Sequence, residues 1–153
     1  MKIGGIIEQT HLALYTISSL KDQPGTVAEV LKVFAEHHIN LAYITEGAAN
    51  TGNALLAFCV DCDDKEKVDK LLLHHTGVAG ENITKHEYVA LIGIYGPHFR
   101  EKPAIAVNVF EVLGKAGINI LGISSSISTI SCVVRLQEME KAKEALLGHF
   151  DLP

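Results

Sequence analysis

The chain has 153 residues, 48% hydrophobic and 20% charged, the balance of a folded, water-soluble protein and not of a disordered one. A net charge of −5, from 13 Lys and Arg against 18 Asp and Glu, with four Tyr, five Phe and no Trp, points away from nucleic acid as a partner. No run reaches the roughly 18 apolar residues of a membrane span. Gly4, Gly5 and Glu8 break the opening apolar run before it could serve as a signal peptide, and three cysteines without a disulfide framework fit a reducing cytoplasm.

In chain order, Lys2 to Gln9 is a β-prone segment and Leu12 to Ser18 a second one. Asp22-Gln23-Pro24-Gly25 is a turn signal that places Pro near a helix start. Val27, Val30, Leu31 and Phe34 recur at i, i+3, i+4 and i+7, as an amphipathic helix requires, and that helix ends near His38. Leu41 to Thr45 and Ala54 to Val60 read as strands joined through the small, polar loop Gly47 to Asn53. Asp63-Asp64-Lys65-Glu66 has the spacing of a capping box, with Asp for Ser, and opens a second helix carrying Val68, Leu71 and Leu72. Asn82 to Glu87 is the last strand of this half.

The pattern then repeats. Leu12-Ala13-Leu14-Tyr15 corresponds to Leu91-Ile92-Gly93-Ile94, Pro24-Gly25 to Pro103-Ala104, Val30-Leu31 to Val109-Phe110, and Ile39-Asn40-Leu41 to Ile118-Asn119-Ile120, all displaced by 79 positions. Phe58-Cys59-Val60 lines up with Cys132-Val133-Val134, and Val68, Leu71 and Leu72 with Ala142, Ala145 and Leu146, at a displacement of 74. The helical stripe recurs as Ala106, Val109, Phe110 and Leu113, and Gly117, a residue suited to a left-handed C-terminal cap, stands at the place of His38. Each copy reads strand, helix, strand, strand, helix, strand. The second copy needs its closing strand after about residue 156, yet the chain ends at Pro153. The segment Lys2 to Gln9 is therefore expected to complete the second copy's sheet, and no flexible linker is expected at His86 to Val89. The expected domains are 10–87 and 88–153 plus 1–9.

These residues resemble the ACT domains, ferredoxin-like units that bind amino acids. Asp22-Gln23-Pro24-Gly25 is similar to the family's D-x-P-G loop, followed by a helix and Ile39-Asn40-Leu41. Ile118-Asn119-Ile120, Ile123-Ser124-Ser125-Ser126 and Ile130-Ser131-Cys132-Val133 are similar to the second regulatory ACT unit of aspartate kinase. Ile3-Gly4-Gly5-Ile6 resembles the strand that precedes the first unit in that family and pairs with the second. The resemblance covers nearly the whole chain. It implies an α+β fold of two βαββαβ units with antiparallel sheets, helices on one face, and the N-terminal strand completing the second unit. It also implies an allosteric module that binds an amino acid between units and regulates a partner enzyme of amino-acid metabolism; the small size of each unit and its second apolar row lead separately to the expectation of a homodimer. Nothing resembles the aspartate kinase catalytic domain, so no enzyme activity and no cofactor are expected in these residues. Two positions depart from the family: Glu46 stands where Gln is usual, and Ala104 stands where Gly follows Pro.

An amino acid is a zwitterion, and its site needs donors for a carboxylate and acceptors for an ammonium. A helix N-terminus supplies the donors, and Gly25 lets the backbone approach closely. Asp22 can accept from the ammonium, and Asn40 and Asn119 offer both donor and acceptor. The family's arrangement implies that Asn119 and Ile120 complete a site begun by Asp22, Gly25, Thr26 and Val27, with Asn40 and Leu41 as the equivalent pair in the first copy. Against this, the same four-residue signal can be a turn that only caps a helix. Glu46 either faces the pocket, where it suits a basic side chain or second ammonium, or faces water as an ordinary edge charge. The rival reading is a structural or interaction protein that uses its sheets only for assembly.

Cysteine chemistry finds no support. In a continuing strand Cys59 and Cys62 point to opposite faces, no second C-x-x-C follows, and Cys132 shares strand parity with Ile130 and Val134. The pairs His37-His38 and His74-His75 sit near helix ends, where a cation complements the dipole. No metal site is expected, and no nucleophile elbow, phosphate loop or zinc-protease motif occurs. Leu56, Phe58 and Val60 can face the helices, which leaves Leu55, Ala57 and Cys59 as a second apolar row that needs cover.

Overall fold

A computed structural model describes residues 2–21, 24–48, 52–75, 82–97, 99 and 104–153. Among these lie β1 (Gly5–Lys21), α1 (Thr26–Glu36), β2 (Tyr43–Ala48), β3 (Asn53–Asp61), α2 (Lys65–His75), β4 (Ile83–Tyr95), α3 (Ile105–Lys115), β5 (Gly122–Ser125), β6 (Thr129–Arg135) and α4 (Met139–His149). The two β-prone segments at the start form one strand of 17 residues, and Asn82 to Glu87 likewise continues without a break into the second copy. Contacts divide the chain into two compact units, Met1–His11 with Tyr88–Pro153, and Leu12–Glu87. At the changeover each long strand carries one left-handed residue, His11 at φ 61 and Tyr88 at φ 58.

Within Leu12–Glu87 the strand order is β2-β3-β1-β4. Tyr15 and Ile44 lie opposite Phe58 in antiparallel register, and the Ser18 hydroxyl donates to the Asn82 carbonyl at 3.2 Å. Alternation puts Ala13, Tyr15, Ile17, Leu56, Phe58 and Val60 on one face, where they form a core with Val30 and Phe34 of α1 and Val68, Leu71 and Leu72 of α2. Both helices therefore cover the same face. On the other face the row is only partly covered, with Cys59 fully buried and Leu55 42% exposed.

The other unit repeats this plan with order β5-β6-β4-β1, so the opening strand takes the fourth place, as the count of strands requires. The Gly4 N–H donates to the Tyr95 carbonyl at 2.6 Å and the Ile3 N–H to the Asp151 carbonyl at 2.8 Å. Glycine is needed at position 93, where a Cβ would press into the backbone of Ile130 and Ser131 on β6. Ala90, Ile92, Ile94, Ile130, Cys132 and Val134 pack against Ile105, Val109 and Leu113 of α3 and Met139, Ala142 and Leu146 of α4.

Three local expectations are corrected. The start of α2 moves to Lys65, because a short 3-10 turn at Cys62–Asp64 precedes it, capped by the Asp61 carboxylate, which accepts from the Asp63 N–H at 2.8 Å. The buried stripe of α3 is Ile105, Val109 and Leu113, while Phe110 turns outward and is 41% exposed. The polar loop expected at Gly47 to Asn53 is shorter, since Gly47 and Ala48 end β2 and Asn53 begins β3. The helix ends follow the expected cap: His38 at φ 57 and Gly117 at φ 75 are left-handed. Beyond them the Ile39 N–H donates to the Phe34 carbonyl at 2.9 Å and the Ile118 N–H to the Leu113 carbonyl at 3.0 Å, the six-to-one bond of this cap.

Candidate functional site

Gly25 is the N-cap of α1, with φ 90 and ψ −15, and no side-chain hydrogen bond caps the helix among the described residues. A Cβ at this position would meet nothing within 4 Å, so the glycine is required by its left-handed backbone and not by crowding. The first intrahelical bond runs from the Glu29 N–H to the Gly25 carbonyl at 3.0 Å. The N–H groups of Thr26, Val27 and Ala28 thus precede the helical ladder and point out of the helix end, where the dipole favours an anion. Gly25 is exposed, while Thr26 and Val27 are half-buried, Val27 against the unit's core. Asp22 lies outside the described residues.

Asn40 and Leu41 stand just beyond the other end of α1. The helix has 11 residues, about 16 Å at 1.5 Å per residue, more than one amino acid can bridge. Within this unit the fold therefore separates Asn40 from Gly25, Thr26 and Val27. Asn40 is exposed, and Leu41 packs partly against the core. Glu46 is exposed on the edge strand β2, opposite Leu56, and so on the helix-bearing side of the sheet. In the other unit Asn119 is exposed and Ile120 packs partly against that core. There the helix starts at Ala104 with φ −77 and ψ −8, an ordinary right-handed residue in place of the left-handed glycine.

The thiols are packing groups. Burial pushes Cys59 up to about 12 and Cys132 up to about 11, so neither forms a thiolate at neutral pH. Cys62 opens the 3-10 turn and all three cysteines are free.

Sequence reasoning missed a polar network in the Leu12–Glu87 unit. The buried Tyr15 hydroxyl donates its one proton to an Asp69 carboxylate oxygen at 2.7 Å, and the Lys65 carbonyl lies 3.3 Å away. The other Asp69 oxygen pairs with Lys85 Nζ at 3.1 Å, and Glu87 lies 3.5 Å from Lys85 and 3.4 Å from Lys65. The only sequence signal was Tyr15 itself, a polar tip at a strand position whose counterpart is Ile94. Among the described residues no helix is long and apolar enough to cross a membrane.

Comparison with known proteins agrees with this geometry. Family models for the ACT domain match residues 15–73 and 92–150. An aspartokinase of Bacillus sp. (strain MGA3) is 27% identical over 98% of this chain, which spans 37% of that protein's length. The regulatory subunit of aspartate kinase from Thermus thermophilus, in its ligand-free form, superposes with a TM-score of 0.84 at 23% identity, over 97% of this chain and 98% of that one. Aspartokinase III of E. coli, solved with lysine and aspartate, superposes with a TM-score of 0.72 at 21% identity, over 95% of this chain and 32% of that one. The chain belongs to the ACT-domain family, as a tandem of two such domains built like the regulatory part of aspartate kinases.

Proposed function

We propose that this chain senses a free amino acid and passes the signal to a partner enzyme of amino-acid metabolism. The observation that carries this reading is Gly25, whose left-handed backbone opens α1 with no side-chain cap among the described residues, in a unit of an amino-acid-binding family. The ligand carboxylate takes the first-turn N–H groups of Thr26 and Val27, and Asp22 takes the ammonium. Because α1 holds Asn40 and Leu41 away from that end, the pocket is completed by the Asn-Leu or Asn-Ile segment of another ACT unit, in a homodimer of the chain. Glu46, exposed on the edge strand, adds a negative charge that suits a basic ligand side chain. Binding across such a joint favours the assembled arrangement by its differential affinity, which is what a regulator requires. The solved aspartokinase III complex with lysine is a protein of the same fold holding a ligand of this class.

A thermal-shift screen with the twenty amino acids tests this reading. A ligand at a hundredfold excess over its Kd stabilises the native state by about 2.7 kcal/mol, or roughly 5–10 °C for a chain of this size. Gly25→Val, which cannot hold the left-handed backbone without strain, is expected to abolish that response, and Ala104→Gly to leave it unchanged. Silence from all twenty amino acids would leave the alternative of a module that only assembles.

A further inference from the structure

The Leu12–Glu87 unit holds a cleft of about 220 Å³ between α2 and β4, lined by Tyr15, Asp69, Leu72, Leu73, Ile83 and Lys85 and not by Gly25, Thr26 or Val27. Its body is apolar, and Leu73 is left 62% exposed at its mouth. Its polar end carries Asp69 and Lys85, 3.1 Å apart and partly solvent-exposed, with the Glu87 carboxylate 3.5 Å from the same Lys85. The volume lies below the roughly 300–1,000 Å³ of pockets for drug-sized molecules, so it fits a small metabolite. An acid and a base held side by side above an apolar wall are the complement of a zwitterion with an aliphatic tail.

We propose that this cleft is a second ligand site, for a free α-amino acid with an aliphatic side chain, its ammonium on Asp69, its carboxylate on Lys85 and its side chain on Leu72, Leu73 and Ile83. The proposal does not rest on the reading of the α1 terminus. The site is organised before the ligand arrives. Tyr15 donates to Asp69 at 2.7 Å and its ring lies 5.8 Å from Lys85 Nζ, so both charged heads are held in place and lose little freedom on binding. Tyr15 is thus a positioning residue. Charge-assisted hydrogen bonds to both ends of the ligand supply affinity and orientation. The other unit lacks the tyrosine: Ile94 stands in place of Tyr15, and Lys143, in place of Asp69, pairs with Glu8 at 2.7 Å in the reverse charge order.

The test is a titration of the full chain with L-leucine, followed by amide NMR and calorimetry. Saturable shifts are expected at Leu72, Leu73, Ile83 and Lys85, with affinity at least tenfold higher than for 4-methylpentanoate, which lacks the ammonium, or 3-methylbutylamine, which lacks the carboxylate. Lys85→Met and Asp69→Asn should each weaken leucine binding at least tenfold, and Gly25→Val should leave these shifts intact. Leucine that moves no amide in the cleft overturns the proposal, as does equal binding of either analogue to the wild-type chain, which marks an apolar docking groove instead. A response confined to Gly25, Thr26 and Val27 sinks this site and leaves the α1 reading standing. Cleft shifts with no amino-acid response at those three residues do the reverse.

Discussion

The two units share one topology and differ in what fills it. In Leu12–Glu87 the core centres on stacked aromatics: Tyr15 and Phe58 lie 5.4 Å apart and nearly parallel, with Phe34 tilted against Phe58 at 5.1 Å. The same three places in the other unit are Ile94, Cys132 and Leu113, all buried and free of aromatic rings. The helix starts differ too, a left-handed Gly25 against a right-handed Ala104. The fold thus depends on which positions are apolar, whereas the side chains that fill them and the backbone at the helix start vary within it.

The largest effect should come from breaking the aromatic stack. Phe58→Ala is expected to cost about 3–5 kcal/mol, the range for deleting a buried phenylalanine. Cys132→Ala, the equivalent change in the other unit, is expected to cost roughly 1–2 kcal/mol. Urea unfolding of the two variants reads the difference, and equal midpoints would show that the stack adds nothing.

Alkaline pH separates the units less sharply. Cys59 and Cys132 are raised by burial from 9.0 to about 12 and about 11, so the stability they lend is fully present below pH 9 and lost as pH climbs through 11 and 12. Tyr15 is raised above its ordinary 10.0, first by burial and then by its bond to Asp69, which adds a loss above pH 10 in the first unit alone. Lys85, raised by the same carboxylate, acts in the same direction. Tyr15→Phe is expected to flatten the decline above pH 10 by up to about 1.4 kcal/mol per pH unit. Unfolding midpoints from pH 8 to 11 measure it, and a variant whose slope matches the wild type would break the assignment.

The smallest expected effect is a gain. His38 holds a left-handed backbone where the other unit has Gly117, so His38→Gly should stabilise the chain by about 0.5–1 kcal/mol, the relief of strain less the entropy of glycine. The rise should be visible in the melting temperature.

Much of this was legible beforehand. The helices showed through Val27, Val30 and Phe34 and the repeat at 79 positions, since burial of one helix face imposes its period on the residues. The role of the opening strand followed from counting, because an antiparallel sheet of this plan needs four members and only one spare β-prone segment existed. Phe110 was misplaced because an apolar residue carries the same periodic signal whether it faces the core or the solvent. The cap at Asp61 was missed because a 3-10 turn shifts a helix start without any change in composition.

By itself, then, the sequence determined the α+β class, the duplication and the family, all of which rest on local period, turn chemistry and motif order. Tertiary structure alone decided that Tyr15, Asp69 and Lys85, 54 and 16 positions apart in successive pairs, converge on one cleft. Such convergence depends on strand register and helix placement. Those are set by packing of the whole unit, which no window of residues along the chain contains.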